Sequence, residues 1–250
     1  MGPAEALAIF GAGLAAGTIN TIVGSGSLIT FPTLLAFGYP PLLANVTNTV
    51  GLVPGVVSGV VGYRRELVGQ RARLRTLAVP ALAGGLTGAV LLLVLPAGVF
   101  KGVVPVLILV ACGLVAAQPT LSRRLAARRS QPVAHGGVGL WVTVYLTGVY
   151  GGYFGAAQGV ILIALLAIFI DDSLQRLNGV KNVLAALVNG VAAVYFILFA
   201  DVAWPAAGVL AAGAILGGQV GATIGRRLPE PLLRWAIVVV GIAVAVKLVI

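Results

Sequence analysis

Apolar residues fill the chain in ten runs: Ala4–Ile22, Leu28–Gly38, Leu42–Tyr63, Leu77–Leu95, Val99–Ala117, Gly137–Phe154, Val160–Ile170, Leu174–Phe199, Trp204–Ile224 and Leu232–Ile250. Eight are long enough to cross a bilayer as helices, which takes roughly 20 residues. Leu28–Gly38 and Val160–Ile170 are not. Each holds eleven residues, about 16 Å of helix against a hydrocarbon core of about 30 Å.

Each short run follows a glycine-rich break, VGSGS at 23–27 and YFGAAQG at 153–159. The pairs are therefore discontinuous spans or re-entrant hairpins. Charge cannot choose between these, because a hairpin that returns to its starting side leaves every loop where it was. Non-helical backbone at membrane depth survives only where protein or a water-filled cavity satisfies its N–H and C=O groups. The breaks thus predict a cavity or tight burial.

Composition supports the lipid setting. Sixty per cent of the residues are hydrophobic and nine per cent charged, with a mean hydropathy of +1.09, more than a water-soluble fold keeps off its surface. The arginines gather at 64–75, 122–129, Arg176 and 226–234, between apolar runs. The positive-inside rule puts these loops in the cytoplasm and both termini outside a cell membrane. Their scatter, without interleaved aromatics, points to lipid head groups as partners and not to nucleic acid. Trp141, Trp204 and Trp235 sit at run ends, as an aromatic belt requires. MGPAEALAIF lacks the basic leader of a cleavable signal. The single Cys112 rules out an internal disulfide.

The halves match. Setting Gly24 on Gly155 places Leu34-Leu35-Ala36 on Leu165-Leu166-Ala167. A two-residue adjustment then brings NVTNT (45–49) onto NGVKN (178–182), pairing Asn45 with Asn178, Asn48 with Lys181 and Thr49 with Asn182. The expected fold is an all-α integral membrane protein of two inverted repeats, each of about five apolar segments with short broken or re-entrant helices, the plan in which interrupted helices build a midplane site. The expected domains are a first repeat at 1–118, a basic cytoplasmic linker at 119–136 and a second repeat at 137–250.

At the helix restarts, Ser27-Leu28 and Gln158-Gly159, free N–H groups and the positive dipole end favour an anion. Gly24, Gly26, Gly155 and Gly159 let a ligand approach the backbone, beside Asn20, Ser25, Ser27 and Gln158. Two polar stripes follow at helical spacing: Asn45, Asn48 and Thr49, then Asn178, Lys181, Asn182 and Asn189. Lys181 lies about 10 Å into its run. A cation there is costly unless paired, hydrated or snorkelling, and so is a functional candidate; the alternative is that its stem reaches the head groups. By contrast, Gly51-Gly55-Gly59 and Gly213-Gly217-Gly221-Gly225 have the spacing of helix-packing ridges.

All six acidic residues lie in loops or near run ends, and the one histidine, His135, is in a basic loop. This argues against a midplane carboxylate relay, a metal-dependent hydrolase and any metal or other cofactor. A serine nucleophile at Ser25 or Ser27 has no histidine base within the membrane, with Lys181 the alternative base, and an enzyme is not expected.

FPTLLAFGYPP followed by ANVTNT, repeated as GVYGGYFGAAQG followed by LNGVKN, resembles the sulfite exporter TauE/SafE family, the toluene-sulfonate uptake permeases. The resemblance covers nearly the whole chain. It implies a secondary transporter of sulfite, sulfonates or related organic anions in the cytoplasmic membrane. Family members often carry a GIGGG-like tract where this chain has VGSGS and FGAAQG, so the resemblance bears on position more than chemistry. Alternating access of a small anion between the halves is the expected mechanism. An anion channel or a non-transporting membrane assembly subunit are the other classes, and the oligomeric state, a homo-oligomer included, stays open.

Overall fold

The computed structural model describes residues 1–127 and 137–223 and the isolated positions 239 and 242. Among the described residues the chain is helical throughout, without strands. The order is α1 (Pro3–Ile22), α2 (Ser27–Ala36), α3 (Pro41–Gly62), α4 (Arg71–Val94), α5 (Ala97–Ala127), α6 (Gly137–Tyr153), α7 (Gln158–Phe169), α8 (Leu174–Phe199) and α9 (Trp204–Thr223). Six of them, α1, α3, α4, α5, α8 and α9, are long and apolar enough to cross a membrane. Leu7, Val57, Val79, Val106, Leu198 and Leu216 on these helices are exposed, a surface suited to lipid. This is a multi-pass membrane protein.

The short helices settle what the sequence left open. At 10 and 12 residues, α2 and α7 are about 15 and 18 Å long. Each is the return arm of a re-entrant hairpin. The Tyr39 hydroxyl, just after α2, donates to Glu5 Oε1 near the start of α1 at 2.8 Å. Likewise a Cβ on Gly139, near the start of α6, would lie 3.1 Å from the ring of Phe169 at the end of α7. The hairpins enter from opposite ends of the bundle. From the α1–α2 end, α3 crosses to the 63–70 loop and the start of α4, where Gln70 Nε2 and the Arg73 guanidinium donate to Asp172 Oδ2, at 3.0 and 2.8 Å, in the link after α7.

Arg176 donates to the other oxygen of Asp172 at 2.9 Å, so two of the basic segments share one end, as expected. Burial raises the Asp172 carboxyl, but hydrogen bonds from Arg73, the Ser173 N–H, Gln70 and Arg176 outweigh it and lower the pKa to about 2. The expected linker begins inside α5, which continues to Ala127. Residues 128–136 with His135, the 226–234 basic stretch with Glu230, Trp235 and the Leu232–Ile250 run apart from Val239 and Ile242 lie outside the described residues.

Packing is reciprocal between the halves. Helix α1 lies on α9 and α6 on α4, α3 contacts α9 and α8 contacts α4, and α3 meets α8. The expected glycine ridges are packing surfaces. A Cβ on Gly213, Gly217 or Gly221 would lie 2.2, 2.1 or 2.6 Å from the carbonyl oxygens of Phe10, Leu14 and Thr18. A Cβ on Gly55 would lie 2.5 Å from that of Ala214. Gly225 lies outside the described residues. The α4–α6 contact repeats the device with Gly84 and Gly88 against the carbonyls of Tyr145 and Val149. Contact this close between backbones substitutes for the hydrophobic drive that lipid cannot supply.

Candidate functional site

The site starts with how α1 and α6 stop. The Ile19 carbonyl accepts from the amides of both Val23 and Gly24, at 2.7 and 3.0 Å, and the Tyr150 carbonyl from those of Phe154 and Gly155, at 2.9 and 3.1 Å. Both glycines are left-handed, with φ of +87° and +76°, a conformation that a Cβ disfavours. Ala157 adopts φ of +60° just before α7. This widened last turn takes Gly24's amide away from Asn20, leaving the Asn20 and Thr21 carbonyls to partners outside the helix.

The two tips touch. Gly159 N–H donates to the Gly24 carbonyl at 3.0 Å, and a Cβ on Gly24 would lie 2.3 Å from Gly159 Cα. Phe31 of α2 packs edge-on against Phe154 of the second tip, with centroids 5.4 Å apart.

The polar stripes hold the tips from behind. On α8, Asn178 and Asn182 donate to the Thr21 carbonyl at 3.1 and 3.3 Å, and the Lys181 ammonium donates to the carbonyls of Asn20 and Thr21 at 3.1 and 3.4 Å. Lys181 is 1% exposed. Its amine turns to the end of α1, which corrects the alternative that it snorkels to head groups. On α3, Asn45 donates to the Tyr153 carbonyl at 3.0 Å. Asn48 donates to Ser27 Oγ at 3.2 Å and accepts from the Thr30 hydroxyl. Thr49 bonds within its own helix to the Asn45 carbonyl.

Between tips and stripes is a cavity of about 20 Å³ lined by Asn20, Gly24, Ser27, Gly155, Gln158, Gly159, Lys181 and Asn182, all expected from sequence, and by Val56, Ala185 and Asn189. That is room for about one water. Its lining has one cation and no acid. Gln158 Nε2 is buried and has no hydrogen-bond partner.

The other expected residues stand outside the lining. Ser25 is buried with its hydroxyl unpartnered, Gly26 donates its amide to Asn20 Oδ1 at 2.6 Å, Asn45, Asn48 and Asn178 hold the hairpins from behind, and Thr49 bonds within α3. Several amides expected to hold an anion are engaged in this conformation: Leu28 with Ser25, Gln158 with Gly155, and Gly159 with Gly24. Asn189 shares the stripe of Lys181 and Asn182, and that helical spacing was the signal for it; Val56 and Ala185 gave none.

A family model described as sulfite exporter TauE/SafE matches residues 9–248. Similar proteins include a probable membrane transporter protein of Haemophilus influenzae, 27% identical over 96% of this chain and 93% of its own length. ORF9 of a Sinorhizobium species, also a probable membrane transporter protein, is 28% identical over 96% and 90%. The corresponding values for the probable membrane transporter protein YfcA of Escherichia coli are 26%, 96% and 88%.

Proposed function

The chain belongs to the sulfite exporter TauE/SafE family, and on that premise we propose that it is a secondary carrier of a small anion, a sulfite, sulfonate or related organic anion, working by alternating access in the cytoplasmic membrane. The carrying observation is the cavity where the hairpin tips meet, with a buried ammonium, an unpartnered amide donor and no carboxylate in its wall. Reciprocal packing and opposed hairpins support two inverted repeats moving against each other. The arginine-bearing end then faces the cytoplasm.

In this reading the described conformation is closed. An organic sulfonate is far larger than one water, so binding requires the tips to part. The Gly159–Gly24 hydrogen bond that must break contributes only about 1 kcal/mol net, which makes the contact reversible. Ser27, Gln158, Asn182 and Asn189 then offer hydrogen bonds, Lys181 supplies charge, and amides freed from the tips can join them.

The test is flux in proteoliposomes with labelled sulfite and organosulfonates. A carrier accelerates when unlabelled substrate waits on the far side, whereas a channel does not. Lys181→Ala is expected to weaken anion binding by about 10- to 100-fold, the loss of a charged hydrogen bond of roughly 1.5–3 kcal/mol. Absence of flux for every anion tried, or flux unchanged by that substitution, defeats the reading. Flux only with a co-purifying subunit would favour an assembly role.

A further inference from the structure

The end of α1 has the chemistry of a cation site. Its widened turn leaves the Asn20 and Thr21 carbonyls without helical partners, and a helix C-terminus carries partial negative charge. In carriers with interrupted helices, such half-helix ends are where a coupling Na⁺ or H⁺ is held. Here both carbonyls accept from the Lys181 ammonium.

The opposite half lacks this charge. The Tyr153 carbonyl at the end of α6 meets the neutral amide of Asn45, while Asn48, at the position matching Lys181, turns to Ser27 and Thr30.

We propose that Lys181 is a tethered cation that permanently fills a cation site at the broken end of α1, so that the protein takes up no free alkali cation there. A mobile ion would have to shed water and lose translational freedom at each visit, and the lysine, covalently held, is already in place. The ammonium therefore has two duties. It secures the end of α1 and presents positive charge to the cavity.

The proposal concerns the cation of the site read above, but its main test is stability and needs no transport. Purified protein is melted in detergent in sodium chloride, choline chloride and propylammonium chloride at equal ionic strength. Wild type is expected to melt at the same temperature in all three. Lys181→Ala, with space for the three missing carbons and the amine, is expected to melt lower in choline and to recover in a dose-dependent way with propylammonium, and to a smaller extent with Na⁺. A wild type stabilised by Na⁺ over choline, or a folded Lys181→Ala indifferent to both cations, overturns the proposal.

If Lys181→Ala does not fold, Lys181→Arg and Lys181→Met decide. Arg should stay close to wild type and Met should melt lower, whereas Met equal to wild type overturns the idea. In liposomes, anion flux should be unchanged when choline replaces Na⁺; a loss of flux overturns it. Cation recovery in melting without flux of any anion would leave this inference standing and remove the carrier reading.

Discussion

At the scale of single residues, the polar side chains differ in whether they face the cavity, hold a helix end or, like Lys181 and Asn182, do both. Asn189 and Gln158 face the cavity, and Asn189→Ala is expected to weaken anion affinity about 3- to 10-fold, one hydrogen bond's worth, with little change in melting temperature. Asn45→Ala should do the reverse, leaving the Tyr153 carbonyl buried without its donor at roughly 1–3 kcal/mol of stability. A ligand-titration series beside melting curves checks both. Sequence spacing put Asn45 and Asn189 each on the polar stripe of its helix, since residues three, four and seven apart share a face. It could not say which of them touch the cavity. That depends on where the end of α1 stops, which in turn depends on Gly24 pulling its amide back to Ile19.

At the scale of elements, the glycines divide by what approaches them. Gly217 leaves its nearest neighbour, the Leu14 carbonyl, 2.1 Å from any added Cβ, and nothing lies within 4 Å of one on Gly113. Gly217→Leu should force α1 and α9 apart and cost at least about 1–3 kcal/mol, while Gly113→Leu should be nearly silent; denaturation of both in the same detergent tests this. The four-residue spacing of Gly213, Gly217 and Gly221 made that ridge legible. Gly84, Gly88, Gly148 and Gly152 carry the same spacing over shorter stretches, two on each helix, too short a repeat to stand out among the many glycines of the chain. The short runs were legible as unable to cross. Their direction was not, because it rests on contacts between residues far apart in the chain, Tyr39 with Glu5 and Phe169 with Gly139.

At the scale of the molecule, Asp172 ties the two halves together at the arginine-bearing end. Its pKa is lowered to about 2 from an ordinary 3.8, so its ionised form is favoured by folding. That contribution is complete above the unfolded value and disappears as pH falls through about 2. Melting temperature should therefore fall between about pH 4 and pH 2. Asp172→Asn should be less stable at neutral pH and should lose that part of the slope.

The bare meeting of Gly24 and Gly159 also limits how such a protein can adapt to a new solute. Backbone lies against backbone there, and neither position accepts even a methyl group without displacing the other hairpin. Differences in the size or polarity of what is carried must then be accommodated by the wall, at Val56, Ala185 and Asn189, where side chains can be exchanged without moving the tips.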